Sequence, residues 1–211
     1  MGRIFLEPEL YHENQFKQVK RMSIGGRRKS VKGKRKPKHA HLYLAGPRVG
    51  TSVGDERKYD RSLSAIKDRA LKGDAGISFA GANGPDEFRE LSSKVYAKLA
   101  KRIIEALVVD GKPYLPRHGY LHVNFPHVTD KTCNLESRFH FVLTAEKPTK
   151  LPWLLQKMCG KTEFPLEKDI VHKDGCFVAI SFETTATLMR PRDELIVIRK
   201  LMPLLTCAYQ K

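Results

Sequence analysis

The chain has 211 residues, of which 39 are Lys or Arg and 23 are Asp or Glu, so its formal net charge is +16. This length fits one domain with an additional segment, and a hydrophobic content of 41% is too high for a wholly disordered chain. No apolar run is long enough to cross a membrane, and the first 30 residues lack the apolar stretch of a secretory signal. The sequence as written therefore predicts a cytosolic or nuclear protein without a membrane span.

The positive charge is concentrated at the beginning of the chain. Residues 1–41 hold 12 Lys and Arg against three Glu, a net charge of +9, whereas residues 42–211 hold 27 against 20, a net charge of +7. Because such a segment repels itself and buries no apolar face, we expect residues 1–41 to be a disordered basic tail, with at most a short helix over 7–19. Its densest part, residues 20–38, indicates nucleic-acid binding or a nuclear import signal, or else only a solvated tail.

The next part of the chain has the pattern of an α/β unit. An apolar run over 41–45, ended by a Gly-Pro turn, predicts a buried strand. Asp60 is placed to cap a helix over 61–72, and a second short strand is predicted over 76–80. Strand, helix and strand in this order predict a parallel pair.

The remaining elements also follow from apolar spacing. Two amphipathic helices are predicted over 86–109 and 191–205. Strand-forming residues predict three further strands, over 120–125, 139–144 and 176–182. Residues 147–174 contain three prolines and are expected to leave the sheet as an excursion. The predicted class is α/β.

Four blocks in this region carry a family resemblance. They are LAGPRVGTSVG at 44–54, AGISFAG at 75–81, GKPYLP at 111–116 and LHVNFP at 121–126. In this order and spacing they resemble successive blocks of the survival protein SurE family of phosphatases and nucleotidases, and especially its fungal, acid-phosphatase-like branch. The likeness extends from about residue 42 to residue 207.

The resemblance implies both a fold and an activity. The implied fold is a three-layer α/β domain over residues 42–207, with a Rossmann-like and mostly parallel sheet. The implied activity is hydrolysis of phosphate monoesters, often nucleoside monophosphates, assisted by a divalent metal such as Mg²⁺ or Mn²⁺. In this family the region of residues 147–174 extends from the core, so Trp153 and its neighbours indicate either a contact between subunits of a homo-oligomer or a packed loop.

The metal ligands of the family have no counterpart in these 211 residues. The family supplies them from an Asn-Asp-Asp-Gly loop, and no adjacent Asp pair occurs here. Arg48 takes the position of a metal-ligating Asn, and a guanidinium repels a metal ion. Ser52 takes the position of a second Asn, and Ser62 keeps one hydroxyl of the family's phosphate-binding Ser-Gly-Thr, where Asp60 would repel a phosphate.

Two hypotheses follow for this site. In the first, a phosphate monoester or nucleotide is still bound without a metal by Gly46, Arg48, Gly50, Ser52 and Ser62. In the second, these residues only shape a turn and the site is dead, because metal catalysis fails without its ligands. The sequence favours the second, which describes a SurE-like domain with impaired catalysis. The alternative from another class is a non-catalytic protein that binds nucleic acid or another polyanion through residues 20–38.

A basic segment in place of the family's first strands also affects the expected sheet. A parallel sheet without its central first strand would leave the strands at 42–45 and 76–80 with an exposed edge and an incomplete core. We therefore expect an unpaired edge at these two strands.

The four cysteines and the histidines leave several interpretations open. Without a signal peptide, Cys133, Cys159, Cys176 and Cys207 predict buried thiols. Less often, such a pattern is a zinc site, here formed by Cys159, His172, Cys176 and Cys207. The resemblance implies disulfides instead, because the secreted fungal branch has cysteines at these positions, and it leaves their pairing open. His118, His122 and His127 predict ordinary surface or core roles.

Overall fold

The computed structural model describes residues 20–23, 41–84, 90–187 and 190–208. The strands in these residues are β1 (Lys20–Ser23), β2 (His41–Val49), β3 (Ala75–Gly81), β4 (Gly119–Phe125), β5 (His140–Thr144) and β6 (Phe177–Thr184). The helices are α1 (Arg61–Leu71), α2 (Glu90–Val108), α3 (Trp153–Cys159), α4 (Glu167–Val171) and α5 (Pro191–Leu201). Short 3-10 helices cover Gly54–Tyr59 and Glu136–Arg138. Every strand predicted from the sequence is present.

The strands form one mixed sheet in the order β1-β2-β3-β4-β6-β5. The pairs β2/β3, β3/β4 and β5/β6 are parallel, whereas β1/β2 and β4/β6 are antiparallel. The predicted parallel pair and the α/β class are therefore confirmed. Because β6 runs against β4, the carboxyl ends of β2, β3 and β4 lie at one end of the sheet and those of β5 and β6 at the other.

The two faces of the sheet differ in polarity. Successive residues of a strand point to opposite faces, and in β4 the side chains of Leu121, Val123 and Phe125 enter the main apolar core, which α2 and α5 complete. The opposite face carries Tyr120, which packs with α1 in a smaller cluster. Helices therefore cover both faces, which confirms the predicted three layers.

The two connections between the neighbouring parallel strands have opposite hands. Strands β2, β3 and β4 lie side by side in chain order. Helix α1, which joins β2 to β3, packs on the face of Tyr43 and Tyr120, whereas α2, which joins β3 to β4, packs on the face of Ile77 and Val123. Two crossovers that step in the same direction over opposite faces cannot share one hand. One of them is therefore left-handed, as in only about 2% of such connections.

The expected exposed edge is not found, and this prediction was wrong. Strand β3 pairs on both sides, with β2 and β4. Strand β2 pairs with β3 on one side and with β1 on the other, where Ser23 stands opposite His41. Four residues of the basic segment therefore fill the position next to β2, and Leu42 is fully buried.

The helices begin and end close to the predicted positions. The side chain of Asp60 accepts a hydrogen bond from the backbone N–H of Leu63 at 3.0 Å, so it caps α1 as predicted. Helix α2 ends at Val108, and its predicted first residues fall outside the described part of the chain. Helix α5 ends at Leu201 rather than 205, because a turn follows it and the chain then runs beside β5.

The predicted excursion leaves the sheet and is fastened by disulfides. It contains α3 and α4, and the bonded pairs are Cys133–Cys176 and Cys159–Cys207. The second pair joins the end of α3 to the C-terminal strap, by which we mean residues 203–208. The strap lies against β5, where the Thr206 N–H donates to the Phe141 carbonyl at 2.8 Å. All four cysteines are thus disulfide-bonded, and none of them is a free thiol.

Most of the predicted basic tail lies outside the described residues, as does the short helix predicted over 7–19. The described part of this segment is β1, so residues 24–40 connect two strands that are hydrogen-bonded neighbours. Among the residues that the structure describes, no helix combines the length and the apolar character needed to cross a bilayer.

Candidate functional site

The predicted phosphate-binding residues lie at the carboxyl ends of parallel strands. Gly46 and Arg48 are in the last part of β2, where the register against β3 shifts between Ala45 and Arg48. Gly50 follows directly, and its N–H donates to the carbonyl of Asn83, after β3, at 3.3 Å. Ligands of open α/β sheets bind outside the carboxyl ends of strands, so this is the end of the sheet where such a site is expected. We call residues 46–53 the β2 loop.

Gly46 is required by close packing at the start of this loop. Its φ of 99° lies in the left-handed region, and a β-carbon here would collide with the carbonyl oxygen of Phe79 in β3. The shape of the loop is therefore fixed by contact with the neighbouring strand.

Ser52 is held by two polar side chains of β4. Its N–H donates to Asn124 Oδ1 at 2.9 Å, and its carbonyl accepts from His122 Nε2 at 2.8 Å. The other ring nitrogen, His122 Nδ1, lies 2.7 Å from Ser78 Oγ in β3. Ser52 is fully buried, and its hydroxyl finds no hydrogen-bond partner among the described residues. Ser52 therefore anchors the loop through its backbone.

Arg48 and Thr51 both contact the 3-10 helix that follows the loop. The Arg48 guanidinium donates to the Glu56 carbonyl at 3.4 Å, and the Thr51 hydroxyl donates to the Glu56 carboxylate at 3.0 Å. Arg48 is half-buried, so its guanidinium remains accessible to an anion at the end of the sheet.

The start of α1 is occupied by its own cap. Asp60 is fully buried and bonds the Leu63 N–H, which leaves less of the helix terminus for a phosphate. Ser62 lies in the first turn of α1 and is half-buried. The structure places Gly46, Arg48, Gly50 and Ser52 in one loop and Ser62 on the next helix.

A buried ion cluster, which we call the Arg57 cluster, is centred on an arginine of the 3-10 helix that follows the β2 loop. Arg57 donates to Glu167 Oε2 at 2.7 Å and also pairs with Glu183. Tyr120 donates to Glu183 Oε2 at 2.6 Å, and Asn124 Nδ2 donates to Glu167 Oε1 at 3.2 Å. The cluster therefore joins the segment after the β2 loop to the excursion and to two strands.

The pKa values follow from these contacts. Burial by itself would lower the pKa of Arg57, but Glu183 and Glu167 outweigh it and raise that pKa. Burial would raise the pKa of Glu183, but the Arg57 guanidinium and the Tyr120 hydroxyl hold it below its usual value. Burial and the charge of Glu183 raise the pKa of Tyr120. The cluster is thus a charged arginine with an ionised Glu183 and a neutral tyrosine.

The donor set of the β2 loop does not fit the divalent metal that the family resemblance implies. The loop itself brings a guanidinium, Arg48, and no carboxylate. In the 3-10 helix that follows, the exposed carboxylate of Glu56 is bonded to Thr51 and that of Asp55 to Lys58. Mg²⁺ is bound by carboxylates together with waters and substrate phosphates, and a cation beside it is unfavourable. Within the described ranges no group of three or more His, Cys, Asp or Glu side chains is arranged to hold a metal ion.

Sequence reasoning located the loop but missed the side chains beneath it. Asn124 is part of the LHVNFP block, but no role was predicted for it. No role was predicted for Arg57, Glu167 or Glu183 either. One local signal was available, because Tyr120, His122 and Asn124 alternate with apolar residues and so define a polar face of the strand. The partners of that face lie far away in the chain and carry no local signal.

Comparisons with known proteins give likenesses among solved structures but not among protein families. No protein-family model and no curated protein matches the chain. Among solved structures, the chain is similar to the crystal structure of the SurE protein from Aquifex aeolicus, with 17% sequence identity and a TM-score of 0.42. The match covers 70% of this chain and 60% of that protein, so the chain spans less than two thirds of its length. At this identity and TM-score, the match by itself establishes neither a family nor an activity.

Proposed function

We propose that this chain is a SurE-like phosphatase or nucleotidase domain whose own metal-dependent hydrolysis is impaired. The support comes from the four sequence blocks that resemble the SurE family. Three of them fall on β2 with its loop, on β3 and on β4, which are adjacent parallel strands with their carboxyl ends at one end of the sheet. Blocks that are separate in sequence thus surround one place, as a shared site requires.

The proposed impairment rests on one observation, the presence of Arg48 in the β2 loop. Its side chain belongs to the β2 loop, at the position where the family resemblance puts a metal-ligating Asn, and it is directed to the Glu56 carbonyl. A guanidinium has no lone pair for a metal, and its positive charge opposes metal binding at short range. Phosphate binding by the same loop without a metal remains a prediction.

The purified chain is expected to release no phosphate above the blank from p-nitrophenyl phosphate or nucleoside 5′-monophosphates, with Mg²⁺ or Mn²⁺ present. Arg48→Asn is expected to leave that rate at the blank, because one neutral amide does not replace the family's carboxylates. A colorimetric phosphate assay measures both. Arg61→Asn, at an exposed arginine at the start of α1, is the matched control.

Metal-dependent turnover by the wild-type chain, stopped by a chelator and altered by Arg48→Asn but not by Arg61→Asn, would show that the site is active and refute the impairment. The same samples can be titrated with a nucleoside monophosphate without metal. Binding that Arg48→Asn weakens by about tenfold would support the phosphate-binding hypothesis for the loop, since hydrogen bonds to charged groups contribute about 1.5–3 kcal/mol.

A second candidate function is nucleic-acid binding by the basic segment, and the pairing of β1 with β2 favours it. Residues 24–40 carry eight Lys and Arg and no acid, and their two ends are held together where Ser23 pairs with His41. The two residues that flank this basic segment therefore belong to the folded domain. Counterion release on a phosphate backbone would supply the affinity.

Replacing the eight basic residues of 24–40 with Gln is expected to weaken DNA or RNA binding and flatten its salt dependence. If each contacts one phosphate, the slope of log K against log salt falls by about 7. Deletion of residues 1–40 is avoided because it would remove β1. The control replaces the exposed α2 lysines Lys94, Lys98 and Lys101 with Gln. No binding by the wild-type chain, or equal slopes for both variants, would exclude this function.

A further inference from the structure

A cavity lies at the opposite end of the sheet from the β2 loop. Its volume is about 230 Å³, and it opens where β5 and β6 end and where α5 begins. Because β6 runs antiparallel to β4, this end of the sheet is separate from the carboxyl ends of β2, β3 and β4. The carboxyl ends of a parallel pair are a usual place for ligands in open α/β sheets.

The walls of the cavity are mainly apolar, and its charged side chains are mainly acidic. Leu143, Phe164 and Val197 are among the apolar side chains. Glu146, Glu183 and Glu194 bring carboxylates from three different elements, whereas Lys147 is the one basic side chain in the lining. The net charge of the whole chain is +16, whereas the charged side chains that line this cavity are together negative.

The three carboxylates differ in whether an ion pair or solvent already stabilises their negative charge. Glu183 is paired with Arg57, and Glu146 is exposed to solvent. Glu194 is half-buried in the first turn of α5, and within the described part of the chain its carboxylate has no hydrogen bond or ion pair. Burial raises the pKa of Glu194, and among the described residues no cation offsets this. A partly desolvated carboxylate in an apolar wall is a place where a ligand cation gains most.

We propose that this cavity binds a small primary amine with an apolar body, whose ammonium group pairs with Glu194. An anionic ligand is disfavoured, because Asp193 and Glu194 already oppose the positive end of α5. The volume of the cavity limits the size of the ligand's apolar part, since an apolar cavity of about 150 Å³ holds a benzene ring. A volume of about 230 Å³ takes one ring with a short amine-bearing chain.

The test titrates the full disulfide-bonded chain with three probes that share one body: 2-phenylethylamine, 2-phenylethanol and phenylacetate. Calorimetry is expected to show binding in the order amine, alcohol, acid. Glu194→Gln is expected to weaken binding of the amine by about tenfold and to leave the affinity for the alcohol unchanged, because the variant loses only the negative charge that pairs with the ammonium group. Glu90→Gln, at an exposed glutamate in the first turn of α2, is the matched control and is expected to change neither.

A second variant separates charge from volume. Ala145→Leu narrows the cavity from a half-buried position in its wall and is expected to abolish binding of both the amine and the alcohol. Thermal unfolding shows whether each variant is folded. The proposal is overturned if no probe binds the wild-type chain, or if amine and alcohol bind equally and Glu194→Gln changes neither.

Discussion

Replacing Arg57 with Met is expected to lower the free energy of unfolding by about 3–5 kcal/mol, the cost of leaving buried carboxylates without their cation. Arg57 is 6% exposed and pairs with Glu167, which is 2% exposed, and with Glu183. Because methionine fills a similar volume, the loss of stability measures the removal of the positive charge and not the creation of a cavity. Urea unfolding of both proteins measures it. Lys58→Met, at the exposed next residue, is the control and is expected to change the stability much less.

The pH dependence of the Arg57→Met effect tests its electrostatic origin. Folding lowers the pKa of Glu183 in the wild-type chain, so its stabilising contribution is present above the unfolded pKa and is lost as the pH falls through the folded pKa. In the variant, burial without Arg57 raises the pKa of Glu183, so protonation of this carboxyl relieves the cost. The difference in stability between the two proteins is therefore expected to shrink between about pH 7 and about pH 5. A difference that is constant over this range would show that packing, not charge, is lost.

Removing the Cys159–Cys207 disulfide is expected to cost about 2–4 kcal/mol of stability, because it closes a long loop in the unfolded chain. The two cysteines are 48 residues apart, and the bond holds the C-terminal strap against α3. The double change Cys159→Ser and Cys207→Ser, followed by urea unfolding, measures the loss. Hydrogen exchange at the Thr206 amide, which donates to Phe141, is expected to speed up in the same variant.

Reduction of the wild-type chain provides the comparison for this prediction. A reductant is expected to lower the unfolding temperature of the wild-type chain more than that of the double serine variant, which keeps only the Cys133–Cys176 bond. Thiol titration confirms that the bonds are opened. An unfolding temperature that stays the same in a fully reduced wild-type chain would contradict a stabilising role for either disulfide.

Regular elements were predictable because they depend on near neighbours in the chain. Apolar spacing and the Asp60 cap set α1 to within one residue, and the strand at 120–125 was predicted with nearly its observed bounds. Helix α5 ended four residues early, because the strap pairs beside β5 instead of continuing the helix. The spacing of apolar residues along the chain carries no information about this contact with a distant strand.

The sequence by itself determined the class and the order of the elements apart from β1, α3 and α4. It also determined the basic character of the first 41 residues and the place of the β2 loop, because all of these depend on composition and local spacing. Only the tertiary structure decided which distant groups meet. It paired the cysteines, placed β1 beside β2, and brought Glu167 and Glu183 to Arg57 from more than 100 residues away. The physical reason is that a buried cation or a sheet edge is satisfied by whatever the packed fold brings to it, irrespective of separation along the chain.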